Sequence, residues 1–463
     1  MSNLGFQPLS PLDGRYFAAV QEIGQHLSEA GLNRARLVVE IEWLIHLANN
    51  DVLDTNIEID SVLQGKLRDI VNDFAAEDIT ELASIEAKTK HDVKAIEYFL
   101  RDRLTKLERT DLLELVHFGC TSEDINNLSY ALTIRDAVTK VWLPKAESLV
   151  TKLTELANKF SENSMLSRTH GQPATPTTMG KELAVFVYRL TRQIEKVKAA
   201  EYLGKFSGAT GTWSAQVVAS PDTDWFNESK TFVEGLGLSF NPLTTQIESH
   251  DWQAELYSVI AHFNRILHNL CTDIWTYISL GYFKQIPVVG ATGSSTMPHK
   301  VNPIKFENAE ANLEISNAIL EVLTQTLVTS RLQRDLTDSS SQRNIGVGLG
   351  HSLLAIDNAT LGLDEIEINQ VVLESDLLEN WEVLAEAIQT VIRAEIARGT
   401  SQISDPYQLL KELTRGKRIS SEDLAGFVAG LDISDEAKSA LISLKPTTYT
   451  GLASKLVSII TSA

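Results

Sequence analysis
The sequence predicts an all-α protein, and three observations carry that expectation. Apolar residues recur every three or four positions over long stretches, as in Trp252, Leu256, Ile260, Phe263, Leu267, Leu270 and Ile274, the period of a helix with one buried face. Almost no segment alternates apolar and polar residues as a half-buried strand does. The breaks between helical stretches are short and marked by Gly and Pro. Helices this long must bury their stripes in a bundle. With so many of them, burial across a subunit boundary and hence an oligomer is expected. At 463 residues the chain has length for two or three domains.

In chain order, Pro8-Leu-Ser-Pro-Leu-Asp-Gly-Arg-Tyr16 is too turn-rich for regular structure. Residues 37–46 read as helix, and 77–82 as a short helix or connector. Lys88-Thr-Lys-His-Asp-Val-Lys94 opens a helix through 95–100; its His beside Asp reads either as capping and surface charge or as a functional cluster. In Val116-His-Phe-Gly-Cys-Thr-Ser-Glu-Asp-Ile-Asn-Asn127, Thr121 or Ser122 caps the next helix, with Glu123 and Asp124 in its first turn. The same hydroxyls at a helix N-terminus form an anion pocket, and both readings can hold together. From about 128 the chain is long-helical, Ile134, Val138, Val141, Leu149, Leu153 and Leu156 sharing a face, with Pro144 marking a kink or break. Residues 165–176 read as a loop and 180–201 as a second helix. The glycine-rich stretch 204–213 lacks the lysine and strand context of a phosphate loop. Residues 252–274 form a third helix, 315–327 lie on a fourth, and a fifth runs from near Gly346 toward Ile368. Beyond 371 come one amphipathic helix with Trp381, Leu384, Ile388 and Val391, and then short helices around Arg415-Gly-Lys-Arg418.

A net charge of -20 argues against a nucleic-acid or anionic-membrane partner but leaves room for a small anionic ligand held by local cations. Cys120 and Cys271 stand apart without a partner motif, which suits a reducing compartment. No His, Cys or Glu set has metal-ligand spacing, so no metal site is expected. The N-terminus lacks a signal-peptide pattern and no run of about 18 apolar residues occurs. The expectation is a cytoplasmic protein.

Three stretches carry chemistry. Gly293-Ser-Ser-Thr-Met-Pro-His-Lys-Val-Asn-Pro303 gathers hydroxyls, an imidazole, a cation and an amide before Pro303 opens a helix, a set suited to a carboxylate-bearing substrate or to an ordinary polar loop. His170, in Thr169-His-Gly-Gln-Pro-Ala174, is free of helix geometry and suits proton transfer, although a structural turn histidine fits equally. Arg331-Leu-Gln-Arg-Asp-Leu-Thr-Asp-Ser-Ser-Ser-Gln-Arg343 offers arginine forks and hydroxyls for phosphate or carboxylate, or forms a solvated turn. No Gly-x-Ser-x-Gly elbow supports a serine hydrolase.

The loop 293–303 resembles the GSSxMPxKxNP signature of the fumarase/aspartase superfamily at every fixed position, and 118–127 and 168–174 resemble its two other regions. Within the superfamily the chain resembles the bacterial adenylosuccinate lyase branch, through Asp13-Gly-Arg-Tyr16, Lys88-Thr-Lys-His-Asp-Val93, His299 in the signature loop, 334–343 and Glu412-Leu-Thr-Arg-Gly-Lys-Arg418. The resemblance implies anti β-elimination of fumarate, without cofactor, from adenylosuccinate and from the succinylated carboxamide ribotide SAICAR. Another fumarate-releasing lyase of the superfamily, such as argininosuccinate lyase, is the alternative. The resemblance makes Ser294 the base, with Ser295 its competing neighbour, His170 the acid, and Glu307 the carboxylate paired with the catalytic histidine. His91 supports the leaving group or the phosphate end. Lys300 and Asn302 hold the succinyl carboxylates. Arg15, Tyr16, Arg334, Ser339 and Arg343 match phosphate and ribose positions, and Lys90, Asp92, His117, Thr121, Ser122, Gln246, Met297 and Asn308 other substrate contacts. The implied fold has three helical domains, 1–117, 118–369 and 370–463. Its long central helices form a multi-subunit bundle in a homotetramer whose active sites each draw on three chains.

Overall fold
The computed structural model describes residues 8–287, 296–297, 299–414 and 419–461. It is mostly helical, as the periodicity requires, with three short strand pairs. Turns over 11–16 lead into α1 (Phe17–Leu27) and α2 (Glu29–Asn49). Ser28 separates the two and caps the second, its Oγ accepting from Gly31 N–H at 3.1 Å. Helices α3 (Ser61–Asn72), α4 (Ala76–Thr89) and α5 (Asp92–Lys106) follow. α4 is a full helix where a short one or a connector was expected. It buries only Leu82, so its sequence shows little apolar period.

α6 (Ser122–Ala137) passes through a π-helical turn, Val138–Trp142, into α7 (Leu143–Lys159). Pro144 neither breaks nor ends the helix. It has no N–H to return to Lys140, and the turn before it is wound wider, with Leu143 N–H bonded to Val138 O. The expected loop at 165–176 is instead an antiparallel hairpin of β1 (Ser164–Thr169) and β2 (Gln172–Thr178). Its strands are mostly Ser, Thr, Pro and Gln, and the register shifts between Met165 and Ser167, so no clean alternation was visible. Next come α8 (Met179–Lys198), β3 (Leu203–Gly204), α9 (Ser214–Ala219), α10 (Trp225–Gly235) and β4 (Ser239–Phe240), which pairs in parallel with β3. α11 (Asp251–Ser279), β5 (Phe283–Gln285), α12 (Ile304–Leu327), α13 (Thr337–Gln342) and α14 (Ile345–Asp364) follow. The fifth predicted helix stops at Asp364, short of Ile368. Residues Ile366–Ile368 form β6, antiparallel to β5, where their alternation of β-branched and charged residues fits. The tail holds α15 (Gln370–Leu378), a 3-10 turn Trp381–Leu384, α16 (Ala385–Arg398), α17 (Pro406–Thr414), α18 (Ser421–Ala429), α19 (Asp435–Ser443) and α20 (Ala453–Val457).

The chain divides into two compact units, 1–147 with 193–265 and 311–357, and 148–192 with 266–310 and 358–463. In the first, Trp43 packs on Phe206 and Phe232 at ring separations of 4.3 and 4.9 Å. A buried polar chain also crosses it: Trp142 Nε1 donates to Ser352 Oγ (2.9 Å), which donates to Asn264 (2.7 Å), which donates to Ser316 (3.1 Å). Such a network has one good arrangement and so fixes helix register. In the second unit Leu384, Ile388, Ile392, Leu424, Val428 and Leu441 form one cluster. There Gly362 lets the Phe306 ring approach, where a Cβ would come within 2.8 Å.

Helix α12 has two apolar seams. Leu313, Leu320, Leu323 and Leu327 are buried, while Ala311, Ile315, Ala318 and Val322, spaced four, three and four, are exposed. Among the described residues no helix is long and apolar enough to cross a membrane.

Candidate active site
On the first unit, helix starts position the polar groups. His91 caps α5, its Nδ1 accepting from Lys94 N–H at 3.2 Å, with half its side chain exposed. Lys90 before it is left-handed (φ 55°) and exposed. Asp92 accepts from Arg36 Nη2 at 2.7 Å and pairs with Arg343 at 3.5 Å. Burial pushes this carboxyl up, but Arg36, with Arg343 behind it, wins and holds it below the usual range. Arg343 also pairs with Glu29, so two carboxylates hold its guanidinium. Arg334 donates to Ser339 Oγ and lies against Glu123, each at 3.0 Å, and reaches Gln246 at 3.4 Å. Gln246 is held in turn by Ala209 O at 3.0 Å. The structure thus brings Gln246, Arg334 and Ser339 together, and Asp92 with Arg343. Arg15 is exposed, its guanidinium 5.9 Å from the ring centre of Tyr16, which stands at the cap of α1.

Thr121 is the N-cap of α6 and Ser122 its first residue. The partner carboxylate is Asp124, which accepts from Thr121 N–H at 2.8 Å. Asp124 does more: it accepts from Ser207 N–H (2.9 Å) and Gly208 N–H (3.1 Å) and pairs with Lys205 Nζ at 2.8 Å, both side chains fully buried. It therefore ties the glycine-rich stretch to the helix start. His117, left-handed at φ 59°, donates its N–H to Glu40 at 3.1 Å and places Nδ1 2.6 Å from the other Glu40 oxygen. Its Nε2 lies 3.8 Å from Glu97. Burial would lower the His117 pKa, but Glu40, helped by Glu97 and Asp124, raises it above the usual histidine value. Glu29, Arg36, Glu40, Glu97, Asp124 and Lys205 were not singled out as site groups in the sequence. A signal existed for Glu40 and Arg36, charges inside an apolar helix, Arg36-Leu-Val-Val-Glu-Ile41.

The second unit carries the others. His170 and Gly171 form the two-residue turn of the β1–β2 hairpin, both at positive φ (53° and 75°), the pattern of a type I′ turn. His170 is exposed at the tip, and no described residue hydrogen-bonds its ring. Glu307, in the first turn of α12, accepts from Trp275 Nε1 at 3.1 Å, so its partner among the described residues is Trp275 and not His170. Met297 and Lys300 are exposed, with Lys300 N–H bonded to Met297 O at 3.0 Å. Gln285 anchors the arm beyond them by donating to Val301 O at 2.5 Å. Asn302 and Asn308 are half-buried. Ser294 and Ser295 lie outside the described residues. In chemical terms the first unit offers fork-shaped guanidinium donors, a type suited to an anion such as phosphate, and the second an accessible imidazole and an ammonium.

A family model described as "Lyase" matches residues 14–316, and one described as "Adenylosuccinate lyase C-terminal" matches 330–450. The adenylosuccinate lyase of Legionella pneumophila (strain Corby) is 46% identical over 460 residues, 99% of each chain. That of Escherichia coli (strain K12) is 46% identical over 450 residues, 97% of each. Among solved structures, a fumarate lyase from Mesorhizobium sp. BNC1 superposes with a TM-score of 0.74 at 18% identity, over 96% of this chain and 98% of that one. The 3-carboxy-cis,cis-muconate lactonizing enzyme from Pseudomonas putida superposes at 0.73 with 20% identity, over 98% of both. These two likenesses speak to the fold.

Proposed function
The chain belongs to the adenylosuccinate lyase family, and on that premise we propose that it releases fumarate by anti β-elimination from adenylosuccinate, giving AMP, and from SAICAR, giving AICAR, in purine biosynthesis. The observation that carries this reading is 46% identity across 99% of the chain. The unbroken signature loop 293–303 agrees with it.

The elimination removes a weakly acidic proton from the succinyl carbon beside a carboxylate and protonates the departing nitrogen. Ser294 takes the proton, and Lys300 and Asn302 stabilise the dianion that develops. A serine hydroxyl is a poor base at its free pKa, so it needs a nearby cation, the role proposed for Lys300, and a site that excludes water. His170 gives the proton to nitrogen, and Glu307 sets the charge of that histidine. His91, beside Lys90 and Asp92, supports the leaving group or the phosphate end. Arg15, Tyr16, Arg334, Ser339 and Arg343 take the phosphate and ribose, and for Arg343 the phosphate competes with its pairing to Glu29 and Asp92. His117, Thr121, Ser122, Gln246, Met297 and Asn308 complete the contacts.

The working unit in this reading is a cytoplasmic homotetramer, three-domained in each chain at about 117 and 369, with each site assembled from three chains. The exposed seam of α12 supports an oligomer, because an Ile315–Val322 stripe at coiled-coil spacing stays exposed among the described residues. Following the loss of adenylosuccinate absorbance while assaying fumarate tests the activity. Fumarate should form from adenylosuccinate; cleavage of argininosuccinate instead, or no fumarate, defeats the reading.

A further inference from the structure
The hairpin that presents His170 is two-stranded, and a two-stranded hairpin alone is marginally stable in water. Its hold comes from elsewhere in its unit. Arg168, two residues before His170, donates Nη1 to the Tyr282 hydroxyl at 2.6 Å and Nη2 to Asp376 at 2.8 Å. The Tyr282 hydroxyl donates to the same Asp376 oxygen, closing a three-membered ring of bonds. Burial, then Asp376, pushes the Tyr282 phenol well above its usual pKa, so the hydroxyl stays a donor. Beside this cluster Leu166 packs with Leu377 and Val383. Asn163 donates to Gln370 at 2.8 Å, and Thr175 on the second strand bonds Glu386. Each strand is therefore gripped by the segment after residue 369, and the polar grip nearest the tip falls at Arg168.

We propose that Arg168, Tyr282 and Asp376 are positioning residues for His170, a clamp by which α15 aims the catalytic hairpin. The proposal rests on the reading of His170 as the proton donor. Proton transfer needs the heavy atoms within about 3.2 Å, and a misplacement of ~1 Å costs about 10²-fold in rate. Arginine suits the role because its planar fork fixes two directions at once, which a lysine cannot do.

The test places Asp376→Asn and Tyr282→Phe in both the natural enzyme and a His170→Ala enzyme, with melting temperature and assembly size measured for each. In the natural enzyme each change should lower kcat about 10- to 10²-fold, with KM for adenylosuccinate within about twofold. In the His170→Ala enzyme the same change should cost less than about twofold, because the group it aims is already gone. An equal loss in both backgrounds overturns the clamp, as does an undiminished kcat in either variant. Tyr282→Phe removes one oxygen and keeps the packing, so it decides the matter alone should Asp376→Asn fail to fold. Full activity in His170→Ala would overturn the acid assignment instead, which separates the two ideas.

Discussion
Burial alone would lower the His117 pKa, yet Glu40 sits 2.6 Å from its Nδ1 and raises it above the usual histidine value. A folded-state pKa raised above the unfolded value of about 6.5 means that the folded form binds the extra proton. The resulting stability is fully present below about pH 6.5 and is lost as the pH rises through the folded pKa. Glu40→Gln should remove this dependence and bring the His117 titration, followed by NMR, to or below the usual histidine value. It should cost roughly 1–3 kcal/mol by urea unfolding at pH 6, the range for a buried charged hydrogen bond. A titration that does not move contradicts the pairing. The pair was not legible in the sequence because its members lie 77 positions apart and only packing brings them together. The proposed base was legible for the opposite reason: its whole recognition pattern is local, within 293–303. That pattern names two serines, and kinetics choose between them. Ser294→Ala should lower kcat by roughly 10²–10⁴, while Ser295→Ala keeps substantial activity; the reverse order would move the assignment to Ser295.

At the scale of elements, periodicity in the sequence was enough wherever a helix buries one clean face, as in α11 and α16. It misled where the apolar content is thin or the structure is local. The β1–β2 hairpin is mostly Ser, Thr, Pro and Gln, and its two large apolar residues, Met165 and Leu166, are adjacent rather than alternating, so the sequence shows no strand period. What could have marked it is the turn: His170-Gly171 occupies two positive-φ positions, where Gly is favoured and His is tolerated. That turn gives a direct prediction. A Cβ on Gly171 would meet no atom within 4 Å, so Gly171→Ala changes only the backbone preference. A left-handed alanine costs about 1–2 kcal/mol. The cost should appear as relaxation of the tip and a kcat lowered by roughly 5- to 30-fold, since each 1.4 kcal/mol is tenfold. Melting temperature should change little, because the tip is exposed. Unchanged kcat would show that the turn does not set the position of His170.

For the whole molecule, what one chain leaves undone is the best guide. The second seam of α12 exposes Ile315 by 46% and Val322 by 59% of their surfaces, an arrangement that a helix tolerates when another subunit covers it. Within the chain, Glu307 bonds Trp275, and His170 has no described partner. In the proposed tetramer both receive the missing groups from other chains, which makes an arithmetical prediction. His170→Ala and Ser294→Ala proteins should each be nearly inactive. Unfolded together, mixed in equal amounts and refolded, they should form hybrids in which roughly one site in four draws both natural residues from different chains. Activity should then return to roughly a quarter of the natural level. The recovery depends on the interface, so the same mixture carrying Val322→Lys on both proteins should assemble poorly and stay silent. Recovery that persists in a species sized as a monomer, or no recovery from well-assembled hybrids, would mean that His170 and Ser294 serve the site from the same chain.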